Sequence, residues 1–403
     1  MRCYLAVVLV SYFLIGVCPN TLAAESLSPK DKLDWSLDDA YKVKTETREE
    51  ISLNGVWKIS LQSGKGLFKQ EKLSKKEKML QSMKGIKKEV IPEKNFETEK
   101  LWKETRVPGL WYDTAWWSIT QYESLLGRDK YKKPQGAITK RVKWDGKPLQ
   151  DFYFAWYQRE FTIPPDWKAG EAFLSFDKFN REAWIFVDSK YLGRQLESET
   201  RDIPLPSDIK PGGKVTLSVL VSAFVAGDDT SFLGGEQIFK KKKTAHFRGI
   251  SGDVWLKRRP VKKYIKDTYV ISSFRKKNLT INVKFSNTPK GVLKGIIKNS
   301  KDGKTVKEFS MPIAKARKVK NNNYEFIISW ENPVYWNPDK PHLYKLFLSW
   351  ESAENETLDS VIPIQFGFRE IWIEGRNYYL NGNPLHLRIS SVYAMPKKQQ
   401  LLF

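Results

Sequence analysis

The sequence predicts an all-β protein built as two successive β-sandwiches. Three observations carry the prediction. After about residue 150, apolar and polar residues alternate with period two in many short segments. Proline and glycine pairs punctuate those segments at the spacing of strand connections. The 403 residues, 41% hydrophobic and 13% aromatic, are enough for two to four packed cores and are not a disordered composition.

In chain order, the first element is a secretory signal over 1–24. Arg2 supplies its positive start, Leu5 to Val17 its apolar run and Leu22-Ala23-Ala24 its small-residue cleavage site. The run is shorter than the roughly 20 apolar residues of a membrane span, so no span is expected after cleavage. Ile15-Gly16-Val17-Cys18 is read against a lipid anchor, because Val17 is larger than the residue that normally precedes an acceptor cysteine. The expected location is secreted or periplasmic. Both cysteines, Cys3 and Cys18, fall inside this segment. Cleavage would leave a chain with no disulfide, no thiolate nucleophile and no cysteine metal ligand.

Residues 25–260 are expected to form the first sandwich. Within them, 65–100 is rich in lysine and glutamate, and Leu73, Leu80, Met83 and Ile86 place a narrow apolar stripe on a helix. That insertion reads first as a solvated surface helix, and alternatively as an electrostatic contact for an anionic glycan. Tyr157 to Ile163 sets Gln158, Glu160 and Thr162 outward against Tyr157, Phe161 and Ile163, with Arg159 the exception on the apolar face. Ala183 to Val187, Asp188 to Lys190 and Tyr191 to Gly193 read as strand, turn and strand, and Val215 to Val221 as a further strand. Pro164-Pro165 and Pro211-Gly212-Gly213 mark turns. A boundary is placed near Pro260. Residues 261–365 are about the size of one small sandwich, with strands at Leu279 to Phe285, Tyr324 to Trp330 and Leu343 to Trp350.

The net charge of +23 favours polyanionic partners. Lysines spread over a surface also serve solvation, and no arginine-rich cluster or recognition helix accompanies them. Nucleic acid is therefore not the expected partner, and acidic polysaccharide is the carbohydrate that charge alone leaves open.

Several segments together resemble glycoside hydrolase family 2, the group of β-galactosidases, β-glucuronidases and β-mannosidases. Leu53-Asn-Gly-Val-Trp-Lys-Ile59, Val107-Pro-Gly-Leu-Trp111 and Trp156-Tyr-Gln-Arg-Glu-Phe-Thr-Ile-Pro164 resemble strands and a loop of its first domain. Leu174 to Gly193 and Arg248 to Leu256 resemble that domain's central hairpin and last strand. Glu331-Asn-Pro-Val-Tyr-Trp-Asn-Pro-Asp-Lys-Pro-His-Leu-Tyr344 resembles a signature of its second domain, and Phe366 to Arg388 the strand pair leading into a (β/α)8 barrel. The resemblance implies a sugar-binding jelly roll, an immunoglobulin-like sandwich over 261–365, and the start of a truncated barrel over 366–403. It also implies that the full-length parent hydrolyses β-glycosides, while this chain alone is inactive. The family's two catalytic glutamates map onto no residue here, so no catalytic residue is assigned.

Candidate sugar-binding residues are Asp228, Asp229, Arg248, Trp111, Trp116 and Trp117. Asp228-Asp229 lies in a loop that in some relatives reaches the sugar, where carboxylates would accept from hydroxyls; Gly-Asp-Asp is equally good turn chemistry. The tryptophans offer stacking faces for sugar rings or packing for a domain interface. His246, His342 and His386 have no metal-ligand spacing, no phosphate-cradling glycine loop or nucleophile elbow is present, and no metal or cofactor is expected.

Overall fold

Segments with one apolar face need a second layer to cover it, and this chain supplies that layer twice. The computed structural model describes residues 37–62, 67, 91–92, 101–113, 143–168, 171–197, 199, 201–223 and 247–386. Residues 1–24, read above as a secretory signal, and nearly all of 65–100 lie outside the described residues.

The first sandwich opens with β1 (Lys42–Lys44), β2 (Glu49–Ser52), β3 (Gly55–Gln62), β4 (Lys103–Val107) and β5 (Gly109–Asp113). The short pair β6 (Lys143–Trp144) and β7 (Lys147–Pro148) precedes β8 (Phe154–Thr162). Then come β9 (Ala172–Phe176), β10 (Glu182–Val187), β11 (Lys190–Leu196), β12 (Ile203–Pro204) and β13 (Lys214–Ser222). β14 (Phe247–Ile250) and β15 (Val254–Arg258) complete it. One sheet runs β1-β2-β15-β9-β12 and the other β11-β10-β13-β8-β3-β4. Neighbours distant in sequence, such as β2 and β15, make this a crossed-over sandwich rather than a meander.

Trp57, Tyr157, Phe161, Ile185 and Val219 of the larger sheet close on Ile51, Leu174, Phe176 and Leu256 of the smaller. The larger sheet is also buried on its opposite face. Phe154, Trp156, Trp184, Phe186 and Leu220 form a further cluster there with Leu67. All six residues of β10 are consequently buried, as in strands covered on both sides. Leu67 falls in the span read as a solvated insertion, yet it is 1% exposed. Arg159 does sit on the apolar face of β8, where its Nη1 donates to the carbonyls of Leu53 (2.5 Å) and Asn54 (2.8 Å). Asp188 and Ser189, with φ of 46° and 64°, form the two-residue turn of the β10–β11 hairpin.

The second sandwich contains β16 (Ile265–Ser273), β17 (Asn278–Phe285), β18 (Val292–Asn299), β19 (Thr305–Pro312) and β20 (Arg317–Lys320). It continues with β21 (Asn323–Ser329), β22 (Tyr344–Glu351), β23 (Thr357–Ser360) and β24 (Ile364–Phe366). β16-β17-β21-β20 faces β19-β18-β22-β23, and β24 also pairs with β22. Leu279, Ile281, Val283 and Phe326 meet Leu293, Ile297, Leu346, Leu348 and Trp350 in its core. Where the sequence predicts a strand pair after residue 366, a three-stranded meander stands: β25 (Ile371–Glu374), β26 (Asn377–Leu380) and β27 (Asn383–Leu385). The described residues are thus all-β sandwiches and contain no (β/α)8 barrel.

The two sandwiches are tied together at Asp359, which is 0% exposed. Its carboxylate accepts from Arg48 Nε (2.8 Å) and Nη2 (2.5 Å), from Thr47 Oγ1 (3.0 Å) and from the Ile265 backbone N–H (2.6 Å). Among the described residues no helix is long and apolar enough to cross a membrane.

Candidate functional site

Two of the six candidate residues come together on the ribbon formed by β5 and β14. The pairing shifts between Arg248 and Gly249, so that Arg248 stands opposite Tyr112 and Gly249 opposite Leu110. Gly249 has φ of 151°, and a Cβ there would lie 2.4 Å from the Gly109 carbonyl oxygen and 3.2 Å from the Tyr157 hydroxyl. Only glycine lets the ribbon lie this close to the sheet.

The shift carries Arg248 inward, to 2% exposure. Its Nη1 donates to the Phe152 carbonyl at 2.5 Å, and its guanidinium lies 4.2 Å from the Tyr153 ring centroid. Trp111 Nε1 reaches the same carbonyl at 3.5 Å, and its ring stands 6.2 Å from that of Tyr157. Burial pushes the Tyr157 phenol far above its ordinary range, opposed by a hydrogen bond with the Ile250 backbone. Burial raises Tyr153 as well, against the pull of Arg248. Both phenols therefore stay protonated at neutral pH, and the ribbon acts as a brace around one buried carbonyl. Trp116, Trp117, Asp228 and Asp229 lie outside the described residues.

The buried carboxylates among the described residues are all engaged. Glu49 accepts from Trp167 Nε1 at 2.9 Å, Glu182 pairs with Arg194, and Asp359 holds Arg48. Among the described residues, the carboxyls whose titration departs from the ordinary range all depart downward. Asp166 is held down by a hydrogen bond from Lys44, and Glu354 by one from Ser352. For Glu370, burial works upward but hydrogen bonds from Arg275 and Ser273 outweigh it. A general acid needs the opposite displacement. No group of three His, Cys, Asp or Glu is placed to hold a metal among the described residues. His342 packs edge-on against Tyr344, with ring centroids 4.6 Å apart.

The second sandwich has an open cleft of about 380 Å³ lined by Trp336, Leu343, Gln365, Phe366, Gly367 and Arg369. Sequence reasoning nominated none of these residues. The signal was present in two segments read as fold signatures, but its parts are separated in the sequence: Trp336 belongs to Glu331–Tyr344 and Arg369 to Phe366–Arg388.

Residues 263–369 match the family described as glycosyl hydrolases family 2. A β-galactosidase of Aeromonas hydrophila is 26% identical over 244 residues, covering 58% of this chain and 22% of that protein. A β-galactosidase of Halalkalibacterium halodurans is 24% identical over 290 residues, covering 68% of this chain and 26% of that protein. Among solved structures, the β-glucuronidase of Ruminococcus gnavus superposes with a TM-score of 0.56 at 16% identity, covering 86% of this chain and 49% of that one. The chain thus spans about half of the glucuronidase and about a quarter of the galactosidases. Residues 263–369 thus form a domain of glycosyl hydrolase family 2, and the rest of the described chain is similar to members of that family in sequence and fold.

Proposed function

We infer that this chain furnishes the non-catalytic sandwich portion of an exported glycoside hydrolase acting on β-linked sugars. The observation that carries the reading is the order of its parts. Two sandwiches locked through Asp359 are followed by the β25–β27 meander, in the order that precedes a catalytic barrel in the family. Hydrolysis with retention requires two carboxyls about 5–5.5 Å apart, one with a raised pKa. The described residues tie their buried carboxylates into structural contacts and push the displaced ones the other way. The sequence signal at 1–24 supports export.

The test is turnover of 4-nitrophenyl β-galactoside, β-glucuronide and β-mannoside by the purified chain. No release above buffer is expected, and release that survives repurification overturns the reading. Translation of the nucleotide sequence downstream of Phe403 is expected to give a barrel frame containing an Asn-Glu pair, and an unrelated frame counts against a hydrolase parent. Intact mass of the exported protein is expected to show cleavage after Ala24.

A further inference from the structure

We propose that the outer face of the second sandwich carries a binding site for acidic oligosaccharide, formed by Trp336, Arg369, Gln365, Lys345 and Lys298. The inference rests on the geometry of that sandwich and stands whether or not the chain belongs to a hydrolase.

Strand register sets the row. Lys298 of β18 is directly opposite Lys345 of β22, and Lys345 is directly opposite Gln365 of β24. Direct partners share a face, so the three side chains cross the sheet in line over roughly 10 Å, two strand spacings. Like charges directly opposite one another destabilise a sheet. Neither lysine is relieved by an ion pair among the described residues, nor is Arg369. Other lysines on these sandwiches are relieved: Lys294, four residues before Lys298, holds Glu351 at 2.5 Å, and Lys277 holds Glu331 at 3.2 Å. Beside the row lies an apolar platform. Phe347 is 36% exposed and Ile296 39% exposed, with Lys298 Nζ 5.2 Å from the Phe347 ring centroid. The carboxylate on that neighbouring row, Glu308, stands opposite Ile296 and pairs with neither lysine.

At Gln365 the row runs into the cleft, whose size is that of small-ligand sites. Trp336 forms one wall, and the Arg369 guanidinium lies 4.7 Å from its ring centroid. Gly367 makes the wall possible: a Cβ there would lie 2.9 Å from three Trp336 side-chain atoms.

This set of groups fits one chemistry. The Trp336 indole, backed by Gly367, seats the Arg369 guanidinium over its ring and presents its apolar edge to the cleft. An exposed guanidinium forms a two-point hydrogen bond with a carboxylate or sulfate. An amide serves hydroxyls, and the lysine pair receives the next anionic group along the chain. A neutral glycan would leave three cations unanswered. Single-stranded nucleic acid is bound by successive stacking platforms along a groove, whereas here one indole serves one cleft.

The test uses the full chain in calorimetry and affinity electrophoresis, with oligogalacturonate as the carboxylate probe and a heparin-derived oligosaccharide as the sulfate probe. Cello-oligosaccharide and a single-stranded oligonucleotide are the controls. Binding of either acidic probe is expected, weakening steeply with salt, and the preferred probe assigns the anion. Lys298→Gln with Lys345→Gln is expected to weaken binding about fivefold and flatten the salt dependence, without lowering thermal stability. Trp336→Ala is expected to weaken it by more than roughly tenfold. The lysine variant lies on the surface and keeps the test decisive should Trp336→Ala fail to fold. The proposal is overturned if neither acidic probe binds, if the lysine variant binds as tightly as the parent, or if the oligonucleotide or neutral glycan binds equally well. A chain that binds acidic probes yet hydrolyses β-glycosides would sink the non-catalytic reading and leave this one intact.

Discussion

Replacing Arg48 with alanine removes one side of the contact that locks the two sandwiches. Arg48 gives Asp359 two hydrogen bonds, at 2.8 and 2.5 Å, and donates a third from Nη2 to the Ile265 carbonyl at 2.5 Å. Charged hydrogen bonds contribute about 1.5–3 kcal/mol each, which bounds the gross loss near 4.5–9 kcal/mol. Two effects reduce it. Asp359 keeps the Thr47 hydroxyl and the Ile265 N–H, and the variant no longer removes a guanidinium from water. The net expectation is the roughly 3–5 kcal/mol typical of stranding one member of a buried pair. Thermal unfolding followed by tryptophan fluorescence should report a fall on the order of 10 °C. Asp359→Asn should cost less, about 2 kcal/mol, because Arg48 retains 17% side-chain exposure and can recruit water. Arg48→Leu with Asp359→Leu should be milder than Arg48→Ala alone, since neither charge is left buried. If Arg48→Ala stays within about 0.5 kcal/mol of the parent, a surface-like change, then Asp359 does not hold the sandwiches together and the argument fails.

The remaining predictions concern the brace, the ribbon and the meander. Arg248→Ala removes the donor to Phe152 and the cation over Tyr153, and should lower unfolding free energy by about 2–3 kcal/mol in urea titrations. Gly249→Ala forces a methyl to within 2.4 Å of the Gly109 oxygen. It should destabilise by about 1–3 kcal/mol and shift the near-ultraviolet dichroism of Trp111 and Tyr157. Glu370, which links Arg275 to the β25–β27 meander, titrates below its ordinary value of 4.5. A lowered folded-state pKa adds stability that is present above the ordinary value and is lost as pH falls through the folded one. The stability gap between the parent and Glu370→Gln should thus be full at neutral pH and close as the solution is acidified below the ordinary carboxyl range, measured as urea midpoints across pH.

Strands with one wet face were legible in the sequence. Leu279, Ile281, Val283 and Phe285 are buried as their alternation demands, and Arg159, the one anomaly on its face, turned out to hold two carbonyls of the chain that crosses it. Trp156 and Trp184 were harder to place, because β8 and β10 are covered on both sides and burial there no longer alternates. Arg48 and Asp359 stand 311 residues apart, and no local pattern announces a pair made by docking. Arg248 drew notice as a polar residue in a recognisable strand, but the shift in register that turns it inward depends on Gly249 and on a partner strand far upstream. The cleft escaped for a similar reason: an indole from one loop and a guanidinium from another segment meet only after β22 and β24 pair.

The pairing of β2 with β15 sets a timetable for the molecule. Ser52 lies opposite Trp255, so the smaller sheet lacks its central strand until about 200 further residues have emerged. At synthesis rates of about 5–20 residues per second, β2 waits roughly 10–40 s for its neighbour. During that interval the nascent chain carries unsatisfied strand edges and cannot close its first core. The long-range closure makes slow folding intrinsic to the topology, and it favours any process that keeps the chain extended until Arg258 has arrived.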